Sequence, residues 1–143
     1  MPDVTADSLV ADFAFLDDWE DRYRYVIELG KTLPPLSDAE HSDANKVRGC
    51  ASQVWMVSEA EHGAEPVLRF RGDSDAHIVR GLIALLLALY SGRPAREIAA
   101  ADPEEAFAKF GLREHLTSQR SNGLSAMVGR IRADAQAALA AAA

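Results

Sequence analysis

The sequence predicts an α+β domain in which helices pack on a small antiparallel sheet. Three observations carry that prediction. Apolar residues recur at helical spacing near both ends of the chain, a β-branched and aromatic stretch followed by an alternating one fills the middle, and turn residues punctuate the joins. With 143 residues, 48% of them hydrophobic and 26% charged, the chain has the length of one ordinary domain and enough apolar material for a core. We therefore expect one unit over 1–143, with its body at about 12–133 and frayed ends.

In order, residues 5–16 and 18–30 are predicted helices, with the acidic pair Asp17-Asp18 suited to the second N-terminus and Gly30 as its stop. Trp19, Tyr23, Val26 and Ile27 share one face of that helix, which should be buried. The segment KTLPPLSDAEHSDAN, with its Pro34-Pro35 pair, is a long loop. Val47–Ser58 and Val67–Arg71 form a predicted hairpin turned by HGAEP and closed by Gly72-Asp73-Ser74-Asp75. Ser74 is the expected N-cap of a helix reaching Tyr90, with Ile78, Leu82, Leu85, Leu86 and Leu89 on one stripe. Gly92 and Pro94 break it. Asp102-Pro103 starts a short helix that Gly111 ends, and a last helix covers about 122–139 with Leu124, Met127, Val128 and Ile131 inward, before an Ala run expected to fray.

Charge and cysteine use narrow the function. The 22 acidic and 15 basic residues leave a net charge of -7, which repels nucleic-acid backbones and anionic membranes. All of that charge lies in the first half: residues 1–72 hold 14 Asp and Glu against 7 Lys and Arg, and residues 73–143 hold 8 of each. The apolar run 82–90 is far shorter than the roughly 20 residues that span a bilayer, so we expect a buried helix. No basic segment precedes an apolar one at the N-terminus, so no secretory signal is expected and the cytoplasm is the expected compartment. A lone Cys50 excludes an internal disulfide and a cysteine zinc cage.

Cys50 follows Gly49 where the long loop meets the first strand. Gly49 keeps the sulfur uncrowded and Lys46 and Arg48 would favour thiolate, making Cys50 a candidate nucleophile; a buried cysteine acting as a small hydrophobe fits the same spacing equally well. His77, two residues after Asp75, invites a hydrolase arrangement of Cys50, His77 and Asp75, although sequence neighbours rarely build one triad. His41, His62 and His115 lie in loops or turns without metal-ligand spacing and receive no role.

Four ordered blocks, DWEDRYRYVIELGKTLPPL from Asp18, NKVRGCASQVW around Cys50, GDSDAHIVRGLIALLLALYSG and HLTSQRSNGL, closely resemble the SufE family of sulfur acceptors, including its CsdE branch. The resemblance implies a SufE/IscU-like single domain. It also implies that Cys50 takes persulfide sulfur from a SufS-type cysteine desulfurase, stimulates that enzyme and passes the sulfur to a SufBCD-type iron–sulfur scaffold. The alternatives are a CsdE-like carrier feeding another acceptor and, less favoured, a cysteine hydrolase. The family reaction needs no metal and no cofactor on this chain; pyridoxal phosphate belongs to the desulfurase. Asp75 matches a family position near the Cys loop and the partner surface, and Arg120 matches a family arginine that contacts the desulfurase or steadies the Cys loop. With Arg48, Gly49, Ser52 and Gln53 they form the implied partner-binding set, Ser52 and Gln53 being candidates also for hydrogen bonds within the loop. Trp55 is a candidate cover for the stored sulfur. The family generally lacks a histidine where this chain has His77.

Overall fold

A computed structural model describes residues 5–50, 52–61, 63, 65–112 and 115–142. The elements run α1 (Ala6–Ala14), α2 (Trp19–Gly30), β1 (Val54–Glu61), β2 (Val67–Ser74), α3 (His77–Tyr90), β3 (Arg93–Pro94), α4 (Ala95–Ile98), α5 (Pro103–Phe110) and α6 (Ser118–Ala142). The expected α+β domain is what forms, and the sheet is antiparallel with strand order β1-β2-β3. His62 and Ala64 of the HGAEP turn, and the extreme termini expected to fray, lie outside the described residues.

Helix starts follow local chemistry. Asp18 caps α2 by accepting from the Asp21 amide, and Asp102 caps α5 by accepting from the Glu104 amide, with Pro103 in the first turn and Gly111 left-handed at its end. Gly30 is the last residue of α2 rather than a flexible stop. A Cβ there would lie 2.6 Å from the Gly81 amide nitrogen, and one on Gly81 would lie 2.2 Å from the Val26 carbonyl oxygen, so the two glycines let the backbones of α2 and α3 touch. Val26, Leu29 and Gly30 form the buried side of α2, while Tyr23, expected inside, is 40% exposed.

α3 is the centre of the core. The predicted stripe is buried, and so are Val79, Ile83, Ala84 and Tyr90, leaving the helix with almost no polar side. Its start differs from expectation, because Ala76 is the N-cap and no side chain caps it. Ser74 remains in β2, opposite Val54, with its hydroxyl donating to the Gln53 carbonyl at 2.7 Å. That bond commits Ser74 to the sheet. Gly72 likewise continues β2 instead of ending it; a Cβ would meet the Ile83 methyl at 2.8 Å, so glycine permits α3 to press against the strand.

Three further corrections concern element ends. β1 begins at Val54, not Val47, because Gly49 takes φ +89 and carries the chain out of the ladder; the Val47 amide returns to the Val54 carbonyl at 2.8 Å. Arg93–Pro94, expected only to break a helix, pairs with Val67 and Leu68 as a short edge strand, where proline's missing donor costs little. α6 starts at Ser118, with the Thr117 hydroxyl accepting from the Arg120 amide, and runs through the Ala tract to Ala142. Leu124, Met127, Val128 and Ile131 are buried as expected.

The long loop is pinned to the outer face of the sheet. Arg71 of β2 binds Glu40 and Glu59, and holds the Glu40 carboxyl down at about 2 through its hydrogen bond. His41 stands edge-on to Trp55, with Nε2 2.8 Å from Asp73 Oδ2 and Nδ1 2.8 Å from the Ser37 carbonyl oxygen. Both ring nitrogens face acceptors, so the imidazolium, which donates twice, satisfies both. The Asp73 hydrogen bond raises the His41 pKa against the opposing effect of burial. Burial raises the Asp73 carboxyl, but hydrogen bonds from His41, Arg80 and the Ser74 amide outweigh that and leave it lowered.

These contacts can be tested by substitution. Gly81→Ala should cost about 3 kcal/mol in urea unfolding, since the new methyl meets backbone that cannot yield. Gly129→Ala on α6, where a Cβ meets nothing within 4 Å, should instead gain about 0.5–1 kcal/mol; equal effects would contradict the packing. For His41 the folded-state pKa lies above the unfolded 6.5, so its contribution is complete below that pH and disappears as pH rises through the raised value. His41→Ala should therefore lose more stability at pH 5.5 than at pH 9, and a pH-independent loss would refute the charged pairing.

Candidate functional site

Cys50 sits in a loop closed at its neck and laid along α6. At the neck, Val47 N–H donates to Val54, Met56 N–H donates to Asn45, and Lys46 bridges to Trp55. Beyond it, the loop runs antiparallel to α6. Gly49 faces Ala126, with a Cβ on Gly49 placed 3.3 Å from the alanine methyl. Cys50 Sγ lies 3.6 Å from the Gly123 carbonyl oxygen, to which the thiol donates weakly. Arg120 Nη1 donates to Ser52 Oγ at 3.0 Å.

The sulfur faces a small, mainly apolar cavity of about 20 Å³ between α3 and α6. Val79 and Leu82 form its α3 side and Leu124 and Met127 its α6 side, while Ser52, Gln119 and Arg120 add polar lining. Gly123 keeps space beside the thiol, since a Cβ there would sit 3.7 Å from Sγ. Such a volume holds about one water-sized atom. The cysteine is partly buried, and that desolvation pushes its pKa above the usual 9.0.

Several expectations change here. Lys46 and Arg48 do not set the thiol's ionisation, which burial governs. Lys46 uses its backbone in the neck, and Arg48 is exposed without an ion pair among the described residues. Trp55 is not the cover: strand alternation turns Val54 and Met56 to the core and Trp55 to the opposite face, against His41. α3 and α6 supply the cover instead.

The other candidate residues close the loop. Asp75 Oδ1 accepts from the Gln53 amide at 3.1 Å, and the Gln53 carbonyl accepts from the Ser74 hydroxyl and the Asp75 amide. Gln53 thus contributes backbone, with its side chain exposed. His77 is exposed at the first position of α3 and absent from the cavity wall, and the Asp75 carboxylate is bound to Gln53, so the hydrolase triad is not assembled. Among the described residues no cluster of His, Cys, Asp and Glu can hold a metal ion, and no helix is long and apolar enough to cross a membrane. His115 stacks on Trp19 at 4.3 Å, remote from any ligand role.

Sequence reasoning missed Gly123, Ala126 and Arg130, which touch the cysteine loop from α6. Arg130 donates to the Ala44 and Lys46 carbonyls and to Asp134. Helical spacing from Arg120 placed all of them on one side of α6, but that side acquires meaning only once the loop is known to lie there.

The chain is similar to known proteins over nearly its whole length. Residues 7–135 match the family described as SufE, Fe-S metabolism associated domain. An uncharacterized SufE-like protein of Rhizobium etli is 61% identical over 139 residues, covering 96% of this chain and 94% of the relative. Another from Rhizobium meliloti is 57% identical over 137 residues, covering 95% and 98%. The solution structure of a hypothetical protein from Thermus thermophilus shares the fold, with a TM-score of 0.75 at 22% identity over 94% of this chain and 96% of that one.

The buried thiol predicts sluggish chemistry in the isolated protein. Alkylation of Cys50 by iodoacetamide should be slower at pH 7 than for a free thiol, and its pH–rate midpoint should lie above 9.0. A midpoint below that value would show that the flanking cations, not burial, control the group.

Proposed function

The chain belongs to the SufE family, whose domain is associated with Fe–S metabolism, and from that premise we propose that it is a sulfur acceptor working through Cys50. The donor is a SufS-type, pyridoxal-phosphate cysteine desulfurase, and the receiver is a SufBCD-type scaffold in the cytoplasm. The observation that supports this reading most is the cavity of about 20 Å³ beside Sγ, which matches one additional atom and is walled mainly by apolar side chains.

The chemistry is thiol–disulfide exchange. At rest the thiol is protonated and covered. When the loop lifts into solvent at the partner, the desolvation that raised the pKa is relieved and a proton leaves to water. The Cys50 thiolate then attacks the terminal sulfur of the desulfurase persulfide. The new S–S bond forms to Cys50, the old one breaks, and its electron pair leaves on the desulfurase cysteine as thiolate. Refolding of the loop carries the added sulfur into the cavity, away from stray thiols and oxidants. No cofactor of this chain enters the exchange.

The surrounding residues divide by task. Gly49 supplies the turn, Arg120–Ser52 and Asp75–Gln53 hold the loop shut, and exposed Arg48 offers a cation to the partner. A CsdA-type desulfurase is the alternative donor.

Intact mass measured after incubation with a SufS-type enzyme and L-cysteine should show one reducible sulfur added at Cys50, dependent on the desulfurase. Cys50→Ser should abolish both that addition and the stimulation of the enzyme. Stimulation surviving in Cys50→Ser would refute sulfur acceptance in favour of pure docking, and sulfur gained only from a CsdA-type enzyme would reassign the donor.

A further inference from the structure

The two arms of the cysteine loop are held by different groups: main-chain carbonyls upstream, and side chains and the Cys50 thiol where the downstream arm meets α6. Downstream, α6 is joined by Arg120, which donates to the Ser52 hydroxyl at 3.0 Å, and weakly by the Cys50 thiol, which donates to the Gly123 carbonyl at 3.6 Å, while Gln53 beyond them bonds to Ser74 and Asp75. Upstream, Arg130 spreads its guanidinium over three acceptors: Ala44 carbonyl at 3.2 Å, Lys46 carbonyl at 3.5 Å and Asp134 Oδ1 at 3.1 Å. Arg130 and Asp134 are themselves mostly covered, with side chains 26% and 18% exposed, so water competes poorly for the bonds to Lys46 and Asp134, while the Ala44 bond lies at the surface. The two acceptors in the loop are main-chain carbonyls, so holding them holds the path of the chain. Directly behind them lies the neck, where Val47 and Met56 amides bond across to Val54 and Asn45.

We propose that Arg130, braced by Asp134, is the positioning residue of the Cys50 loop, fixing residues 44–47 as a hinge so that the loop opens by peeling its downstream arm from α6. A fixed upstream end turns an otherwise loose excursion into a swing about one point, which limits where Sγ can go. The purpose of that swing rests on the sulfur-acceptor reading; its existence does not.

The hinge is testable without a desulfurase, by amide hydrogen exchange of the Val47 N–H together with iodoacetamide labelling of Cys50. The Leu85 amide in the core helix reports global opening. Arg130→Ala should speed Val47 exchange by about tenfold with Leu85 unchanged, and Arg130→Lys, which keeps a cation without the fork, should fall between. Ser52→Ala should leave Val47 at its wild-type rate while Cys50 labelling accelerates. If Arg130→Ala speeds Leu85 along with Val47, Arg130→Lys carries the same comparison. Wild-type exchange at Val47 in the Arg130 variants overturns the proposal, as does a Ser52→Ala protein whose neck loosens as much as that of Arg130→Ala. Failure of sulfur to load on Cys50 would be read separately by mass and leaves this result standing.

Discussion

A helix that is apolar on nearly every side must be covered on nearly every side, and α3 imposes that demand on the rest of the chain. Ten of its residues are buried, and each large aliphatic among them contributes about 1.5–3 kcal/mol when removed from water. α2 covers one flank and can do so only because Gly30 and Gly81 let backbone meet backbone. β2 covers another through Gly72, and α1, α5 and α6 complete the enclosure. The sheet roofs this helix with one face and holds the long loop with the other.

The site inherits its properties from that packing. Val79 and Leu82 belong to the first turns of α3, and Leu124 and Met127 to the side of α6 that faces it, so the space beside Cys50 is a corner of the core left unfilled. An unfilled corner is destabilising by itself, because its lining forfeits dispersion contacts. Its place next to the chain's one cysteine is what the proposed sulfur-acceptor function uses.

Much of the fold was legible from periodicity and caps. Asp18, Asp102-Pro103 and the α3 stripe acted locally, and local signals survive in sequence. What was not legible depended on long-range geometry. Val47 looked like strand because it is β-branched and apolar, yet it is buried in a loop neck; Ser74 looked like a cap, yet Gln53, 21 residues earlier, claims its hydroxyl. The candidate Cys50 stood out in sequence by its block and neighbours. Its regulation was misread: two adjacent cations suggested a thiolate, but proximity in sequence did not bring charge to the sulfur, and burial decided the matter. Trp55 failed as a cover for the same reason that a one-residue step along a strand reverses the face.

A raised pKa is usually a handicap in a nucleophile; under the proposed sulfur-acceptor function it separates storage from reaction. While the loop is closed, the thiol is neutral and half-buried, donates weakly to the Gly123 carbonyl, and faces a cavity walled mainly by apolar side chains. Only displacement from α6 restores the solvation that a thiolate requires. Reactivity is then conditional on whatever draws the loop away, and the downstream bonds at Ser52 and Gln53 are few enough for a docking partner to replace. A permanently activated cysteine, flanked by resident cations, would react with small thiols and peroxides wherever it met them. Burial therefore gives selectivity that electrostatic activation would destroy, and it does so with the same side chains that hold the core together.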